Sequence, residues 1–178
     1  ITLKTDMETG QSETASFNDK DDRLQLLLNG NQFDRLYRPP LRLVIAGKGP
    51  VVAASSQVAI ASGMSVHVIT TEDDIAALCQ GYGATTSKTV ESVQIDRWTA
   101  VATLFNEHEL ELPVLKAAMQ SDEFYIGALG SRNTHSDRIG RMISEGHSDQ
   151  TIERIDGPLA LYIGYRKAPV IEISLVSE

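Results

Sequence analysis

A chain of 178 residues suffices for one domain with a small appendage, and it is long enough to bury a core. A formal net charge of −8 argues against nucleic-acid binding through bulk electrostatics, and the single cysteine, Cys79, excludes an internal disulfide and any metal cage built from cysteines alone. Hydrophobic content of 42% reads as globular, no apolar run approaches the roughly 20 residues of a membrane span, and no signal peptide is evident, so the expected setting is the reducing cytoplasm.

In chain order, Thr2–Met7 has strand character and Glu8–Asp22 is polar and reads as loop. Leu24–Leu28 is a short apolar run of undecided type. Phe33–Arg38 reads as a strand stopped by Pro39-Pro40. From Leu41 strands and helices alternate. Leu41–Ala46 is a continuous apolar strand of the kind buried on both faces. Val51–Ser62 reads as a helix ended by Gly63, and Ser65–Thr70 as the next strand. Glu72–Gln80 reads as a short helix closed by Gly81, with Thr85–Val90 a short strand after it. Thr99–Phe105 is a strand, and Pro113–Gln120 a helix with Pro113 in its first turn. Phe124–Leu129 reads as the last clear strand. Thr134–Ser144 reads as a helix with Ile139, Met142 and Ile143 on one face, and Ser148 as the cap of a short helix running to Ile155. Val170–Val176 stays ambiguous, since its β-branched residues also suit a strand.

This alternation predicts an α/β fold, a Rossmann-like parallel sheet with helices on both faces. It occupies residues 39–178. Residues 1–38 are expected to form an amino-terminal strand arm or the remnant of an upstream domain.

Two strand–glycine–helix crossovers are candidate binding sites. In the first, Gly47-Lys48-Gly49-Pro50-Val51-Val52, glycines at two fingerprint positions permit a tight turn and close backbone approach to a phosphate. The third position is Val52, Pro50 removes a donor, and Lys48 could supply charge instead. A turn that binds nothing is an equal reading. An acid at the end of the second strand would hold a ribose, yet Thr70-Thr71 stand there, and Glu72-Asp73-Asp74 read as a solvated helix start. After the Thr99 strand, Asn106, Glu107 and His108 could contact a ligand at the carboxyl edge, but no ligand spacing supports a metal site. The second crossover is richer. In Gly127-Ala-Leu-Gly130-Ser131-Arg132-Asn133-Thr134-His135, Gly130 permits an unusual backbone angle and Ser131, Asn133 or Thr134 can cap the helix. Arg132 can fork onto a phosphate or carboxylate, and the helix start favours a neutral His135. Cys79, Trp98, His67 and His147 read as packing, structural or solvated residues. Gly157-Pro158 marks a turn, and Arg166 could add charge at the same sheet edge.

The run Phe-Tyr-Ile-Gly-Ala-Leu-Gly-Ser-Arg-Asn-Thr-His at 124–135 resembles the hallmark segment of the xanthine dehydrogenase accessory factor (XdhC/CoxI) family. Three further segments resemble the family in the same order: 37–50, 104–111 and Ile-Asp-Gly-Pro-Leu-Ala-Leu-Tyr-Ile-Gly-Tyr-Arg at 155–166. The resemblance covers about residues 33–178, and implies the family's carboxyl-terminal Rossmann domain. It departs from the family at Asn106 (usually His), Glu107 (usually Asp), Thr70 (usually an acid) and Lys48 (the usual turn being Gly-Ala-Gly).

The resemblance implies a cytoplasmic accessory factor. It would bind molybdenum cofactor (molybdopterin) or a related nucleotide and assist its sulfuration and insertion into a molybdenum hydroxylase such as xanthine dehydrogenase. A cysteine desulfurase is an expected further partner and a homodimer an allowed arrangement; nucleic acid and membrane are not expected. Gly47, Lys48, Gly49, Asn106, His108, Gly130, Ser131, Arg132 and His135 are the expected cofactor contacts, with no catalytic residue and no metal ligand. The alternatives are an NAD(P)-dependent oxidoreductase, which Val52 and Thr70 weigh against, and a dimerising scaffold without ligand.

Overall fold

The computed structural model describes residues 2–16, 26–37, 39–105, 108–123 and 125–159. The chain divides into two compact units, Ile1–Pro39 and Pro40–Glu178.

The first unit is a four-stranded antiparallel sheet. Its strands are β1 (Thr2–Asp6), β2 (Ser12–Ala15), β3 (Leu26–Asn29) and β4 (Gln32–Leu36), in the order β2-β1-β4-β3. The Asp6 carboxylate accepts from the N–H groups of Glu8 and Thr9 and so shapes the turn into β2. Gly30, at φ +60°, opens the two-residue turn between Asn29 and Gln32. Two expectations change here. Ser12–Ala15 is a strand rather than loop, and the undecided leucine run contributes β3.

The second unit carries a six-stranded parallel sheet. It consists of β5 (Arg42–Gly47), α1 (Pro50–Ala61), β6 (Ser65–Ile69), α2 (Asp73–Tyr82), β7 (Thr85–Ser87), β8 (Thr99–Leu104), α3 (His108–Met119), β9 (Tyr125–Ala128), α4 (Arg132–Ser144), α5 (Asp149–Ile152) and β10 (Ile155–Asp156). The strand order is β10-β9-β8-β5-β6-β7. The chain runs outward one way from β5, returns to β8, and runs outward the other way. That is the doubly wound order whose direction reverses between β5 and β8. Alternation along β5 serves both faces at once: Leu43 and Ile45 pack with α1 and α2 residues Val52, Ala59, Ile75 and Cys79, while Val44 and Ala46 pack with Val114, Leu115, Ile126 and Met142.

Local signals set most boundaries, and they correct four expectations. Gly83, left-handed at φ +104°, closes α2, so Gly81 lies inside the helix. Helix α3 starts at His108, which puts Pro113 in its interior. Pro113 marks a lost i→i−4 bond rather than a first turn. On α4, Met142 is buried, but Ile143 is 53% exposed, and the inward position belongs to Arg138. The chain's sixth parallel strand, β10, follows α5 where the helix was expected to continue to Ile155. The Val170–Val176 segment lies outside the described residues.

Candidate functional site

Parallel pairing brings the candidate residues to one edge. Gly47 is in register with Leu104, Thr103 with Ala128, and Gly127 with Asp156. The first crossover after β5 and the second after β9 therefore flank the end of β8. At one strand spacing of about 4.8 Å, they lie roughly 10 Å apart. Helix α3 leaves β8 between them with His108 as its first residue. Asn106 and Glu107 lie outside the described residues, as does the side chain of His108.

The second crossover is built around a buried charge pair that sequence reasoning did not name. Arg138, the largest fully buried side chain among the described residues, donates from Nε to Glu111 Oε2 at 2.9 Å and from Nη2 to Glu111 Oε1 at 3.0 Å. Glu111 is 1% exposed and also accepts from Thr103 Oγ1 at 2.7 Å. A second Nη2 bond reaches the Leu129 carbonyl at 2.8 Å, which ties the end of β9 to α4. A bidentate guanidinium–carboxylate pair with its remaining valences filled is the condition under which charges tolerate burial.

This pair fixes the state of His135. Arg138 Nη1 lies 3.0 Å from His135 Nδ1. A guanidinium has no acceptor, so Nδ1 must accept, and the imidazole proton sits on Nε2. Burial and the Arg138 charge both hold the imidazole below its ordinary pKa, against a smaller opposing pull from Asp156 and Glu111. His135 thus presents a neutral ring with a donor at Nε2. Gly157 is the residue that admits it, because a Cβ there would overlap the His135 ring. The neighbouring Asp156 accepts from Tyr125 Oη at 3.2 Å.

Ser131 is the N-cap of α4. Its Oγ accepts the Thr134 N–H at 3.1 Å and lies 2.9 Å from Thr134 Oγ1. The helix starts at Arg132, two residues earlier than expected, so the Arg132 and Asn133 amides belong to the first turn that has no partner within the helix. Gly130 precedes them at φ +154°. Arg132 is exposed. The first turn of α4 therefore carries amides without a helical partner, an exposed guanidinium and an imidazole donor, groups suited to an anion.

At the first crossover Gly49 caps α1 at φ +79°, with Pro50 as the first helical residue. Val52 packs against Gly47, where an added Cβ would lie 2.8 Å from Val52 Cγ2. Glu72 corrects the reading of a solvated helix start. Its carboxylate accepts from the Gly49 N–H at 2.7 Å, and its own N–H reaches Thr70 Oγ1 at 3.3 Å. The amide that a phosphate would meet is held by an acid of the chain itself. Lys48 is half-buried beside it.

The other singled-out residues stand away from this chemistry. Cys79 is fully buried and burial pushes its thiol up. His67 is held between Thr85 Oγ1 and Ser87 Oγ, at 2.8 and 2.9 Å. Arg166 lies outside the described residues. No cluster of three metal-ligating side chains occurs among the described residues. Glu111 and Arg138 escaped notice because a charged residue on a helix reads as solvated. The available signal was spacing, since Arg138 follows His135 by one turn and Glu111 follows His108 by one turn.

Comparison with known proteins agrees with this architecture. The family model described as XdhC Rossmann domain matches residues 43–178. The molybdenum cofactor insertion chaperone PaoD of Escherichia coli (strain K12) is 33% identical over 150 residues, a span that covers 84% of this chain and 42% of that protein. The chain thus spans less than half the length of that curated relative. A solved structure of a xanthine dehydrogenase from Bacillus halodurans shares the fold, with a TM-score of 0.69 and 17% identity over 99% of this chain and 57% of that one. The strand order, the second crossover and the matched profile converge: this chain belongs to the XdhC family, and its parallel sheet is built by that family's Rossmann domain.

Proposed function

We propose that the chain is an accessory factor that holds molybdenum cofactor at the carboxyl edge of its sheet and assists insertion into a molybdenum hydroxylase of the xanthine dehydrogenase type. The observation that carries this reading is the second crossover, where a Ser131-capped first turn of α4 carries the exposed Arg132 and a neutral His135 directly after the end of β9. The similarity to a protein named as a molybdenum cofactor insertion chaperone supports it. The cargo would be a phosphate-bearing pterin that carries the metal. The donor set fits it: amides and a planar guanidinium suit phosphate, and a neutral imidazole donor suits a pterin ring acceptor. Glu111 and Arg138 would act through His135, by keeping its proton on Nε2.

Sulfuration of the cargo would need sulfur from elsewhere. Cys79, the chain's one cysteine, is fully buried with its thiol pKa raised, so it makes a poor sulfur carrier. A cysteine desulfurase is the partner class that fits.

The test is retention of molybdenum cofactor by the parent and by Arg132→Ala and His135→Asn, read as pterin fluorescence after desalting and oxidation. The reading expects each variant to retain at least tenfold less. Parent-level retention by both would contradict the site assignment.

A second reading, a nicotinamide-dependent oxidoreductase, is favoured by the doubly wound strand order alone. The Glu72 carboxylate on the Gly49 amide weighs against it, since a pyrophosphate would have to displace a negative charge. An NADH absorbance change with small carbonyl or hydroxyl substrates would move it ahead.

A further inference from the structure

The sheet of the first unit has two edge strands of opposite character. β2, Ser-Glu-Thr-Ala, carries a carboxylate among hydroxyls, and a charge of that kind guards an exposed edge against pairing. β3, Leu-Leu-Leu-Asn, carries neither charge nor proline, and its Leu26 and Leu28 are 56% and 68% exposed.

The hairpin decides which backbone groups β3 offers. Its two-residue turn makes Asn29 and Gln32 a hydrogen-bonded pair, and the alternation of an antiparallel ladder makes Leu27 and Asp34 the next one. Leu26 and Leu28, opposite Arg35 and Phe33, therefore turn their N–H and C=O groups away from β4. Two residues apart, they also share one face of the sheet. The same pair thus supplies the outward hydrogen-bonding groups and the exposed apolar surface.

This edge is complementary to itself. A second β3, antiparallel and related by a two-fold axis through Leu27, sets Leu26 opposite Leu28 of the second copy and Leu28 opposite its Leu26. Both are hydrogen-bonded positions, so each pair exchanges both of its backbone bonds while leucine meets leucine on one face. Charge permits the contact. β3 has none, and the charged Asp34 and Arg35 of β4 lie one strand back on opposite faces, so no like charges meet across the seam. A seam one four-residue strand long buries less than the roughly 1,200 Å² of a standard interface, so the dimer is weak and concentration-dependent.

We infer that β3 is a self-association edge, through which two copies of the chain join their antiparallel sheets into one continuous sheet. The inference is independent of the cofactor site, and its test leaves the proposed function untouched. That test is sedimentation equilibrium of the full chain over a concentration series, with Leu26→Lys, Leu28→Glu and the two combined. The parent should dimerise with a dissociation constant on the order of 10–100 μM. Each single change puts a charge at the apolar seam and should weaken dimerisation roughly tenfold or more. Because positions 26 and 28 face each other between copies, the combined variant sets lysine against glutamate in both pairs and should return to within about threefold of the parent. Both side chains are exposed, so every variant should melt at the parent temperature when dilute. Parent-level dimers in either single variant, or a combined variant as weak as the singles, would overturn the edge. So would a parent that stays monomeric up to about 1 mM, the result expected of an edge kept for a strand of another protein. Growth beyond the dimer would also overturn it, since a two-fold pairing closes.

Discussion

Arg138 orders the site one residue at a time: it grips Glu111, tethers the end of β9 through Leu129, and sets the proton of His135. Removing one member of such a buried pair strands the other charge. Arg138→Met should therefore cost about 3–5 kcal/mol in urea unfolding, while Glu111→Leu combined with Arg138→Met should cost clearly less than the sum of the two single changes. Additive losses would mean that the pair is not coupled. His135 gives a pH signature. Its folded pKa lies below the ordinary value of 6.5, so below that pH the unfolded chain binds a proton that the folded chain refuses. Its contribution to stability is full above about pH 6.5 and is lost as pH falls through the lower, folded pKa. His67, lowered by burial, adds the same sign. The melting temperature of the parent should fall between pH 7 and pH 5 more steeply than that of His135→Asn, leaving a residual slope from His67. Equal slopes would refute the buried, neutral imidazole. A neutral His135 was legible from its place at a helix start, but the Glu111–Arg138 pair was not, because its burial depends on partners 27 residues apart in the chain.

Among the elements, helix α4 turns a cap into a binding edge. Ser131 satisfies the Thr134 amide and leaves the Arg132 and Asn133 amides without a partner inside the helix. Loss of its hydroxyl in Ser131→Ala should destabilise by about 1 kcal/mol, as should Ser148→Ala at the start of α5, both read by chemical denaturation. A neutral Ser131→Ala would show that the cap is not what orders the crossover. Elements were legible in proportion to their burial. β5 and β8 announce themselves as apolar runs because helices cover both faces. β2, Ser-Glu-Thr-Ala, is mostly exposed at a sheet edge, so nothing in its composition demands a strand. Pro113 misled for a physical reason: proline favours first turns, yet α3 starts at His108 and takes Pro113 into its interior at the loss of one backbone bond.

For the whole molecule, a Rossmann-like parallel sheet with helices on both faces followed from the alternation of strands and helices, and the second crossover from its polar residues beside a glycine turn. The strand order and the Glu72 contact did not follow. Each is a long-range placement, and Glu72 reaches Gly49 across 23 residues. The placement changes how the edge works as a unit. Two crossovers that both read as candidate binding turns, the second richer than the first, differ in charge: Glu72 holds the Gly49 amide at one, and the exposed Arg132 begins the helix at the other. Binding energy for an anionic ligand should therefore concentrate at the second crossover. The most direct test is a parallel thermal-shift titration of the chain with molybdopterin, its nucleotide-bearing forms, NAD and NADP. At about 100 times its dissociation constant a ligand of the native state stabilises by roughly 2.7 kcal/mol. A shift with the pterin species alone, abolished by Arg132→Ala, is the result expected. A shift with NAD or NADP alone would place the ligand at the first crossover and contradict the account.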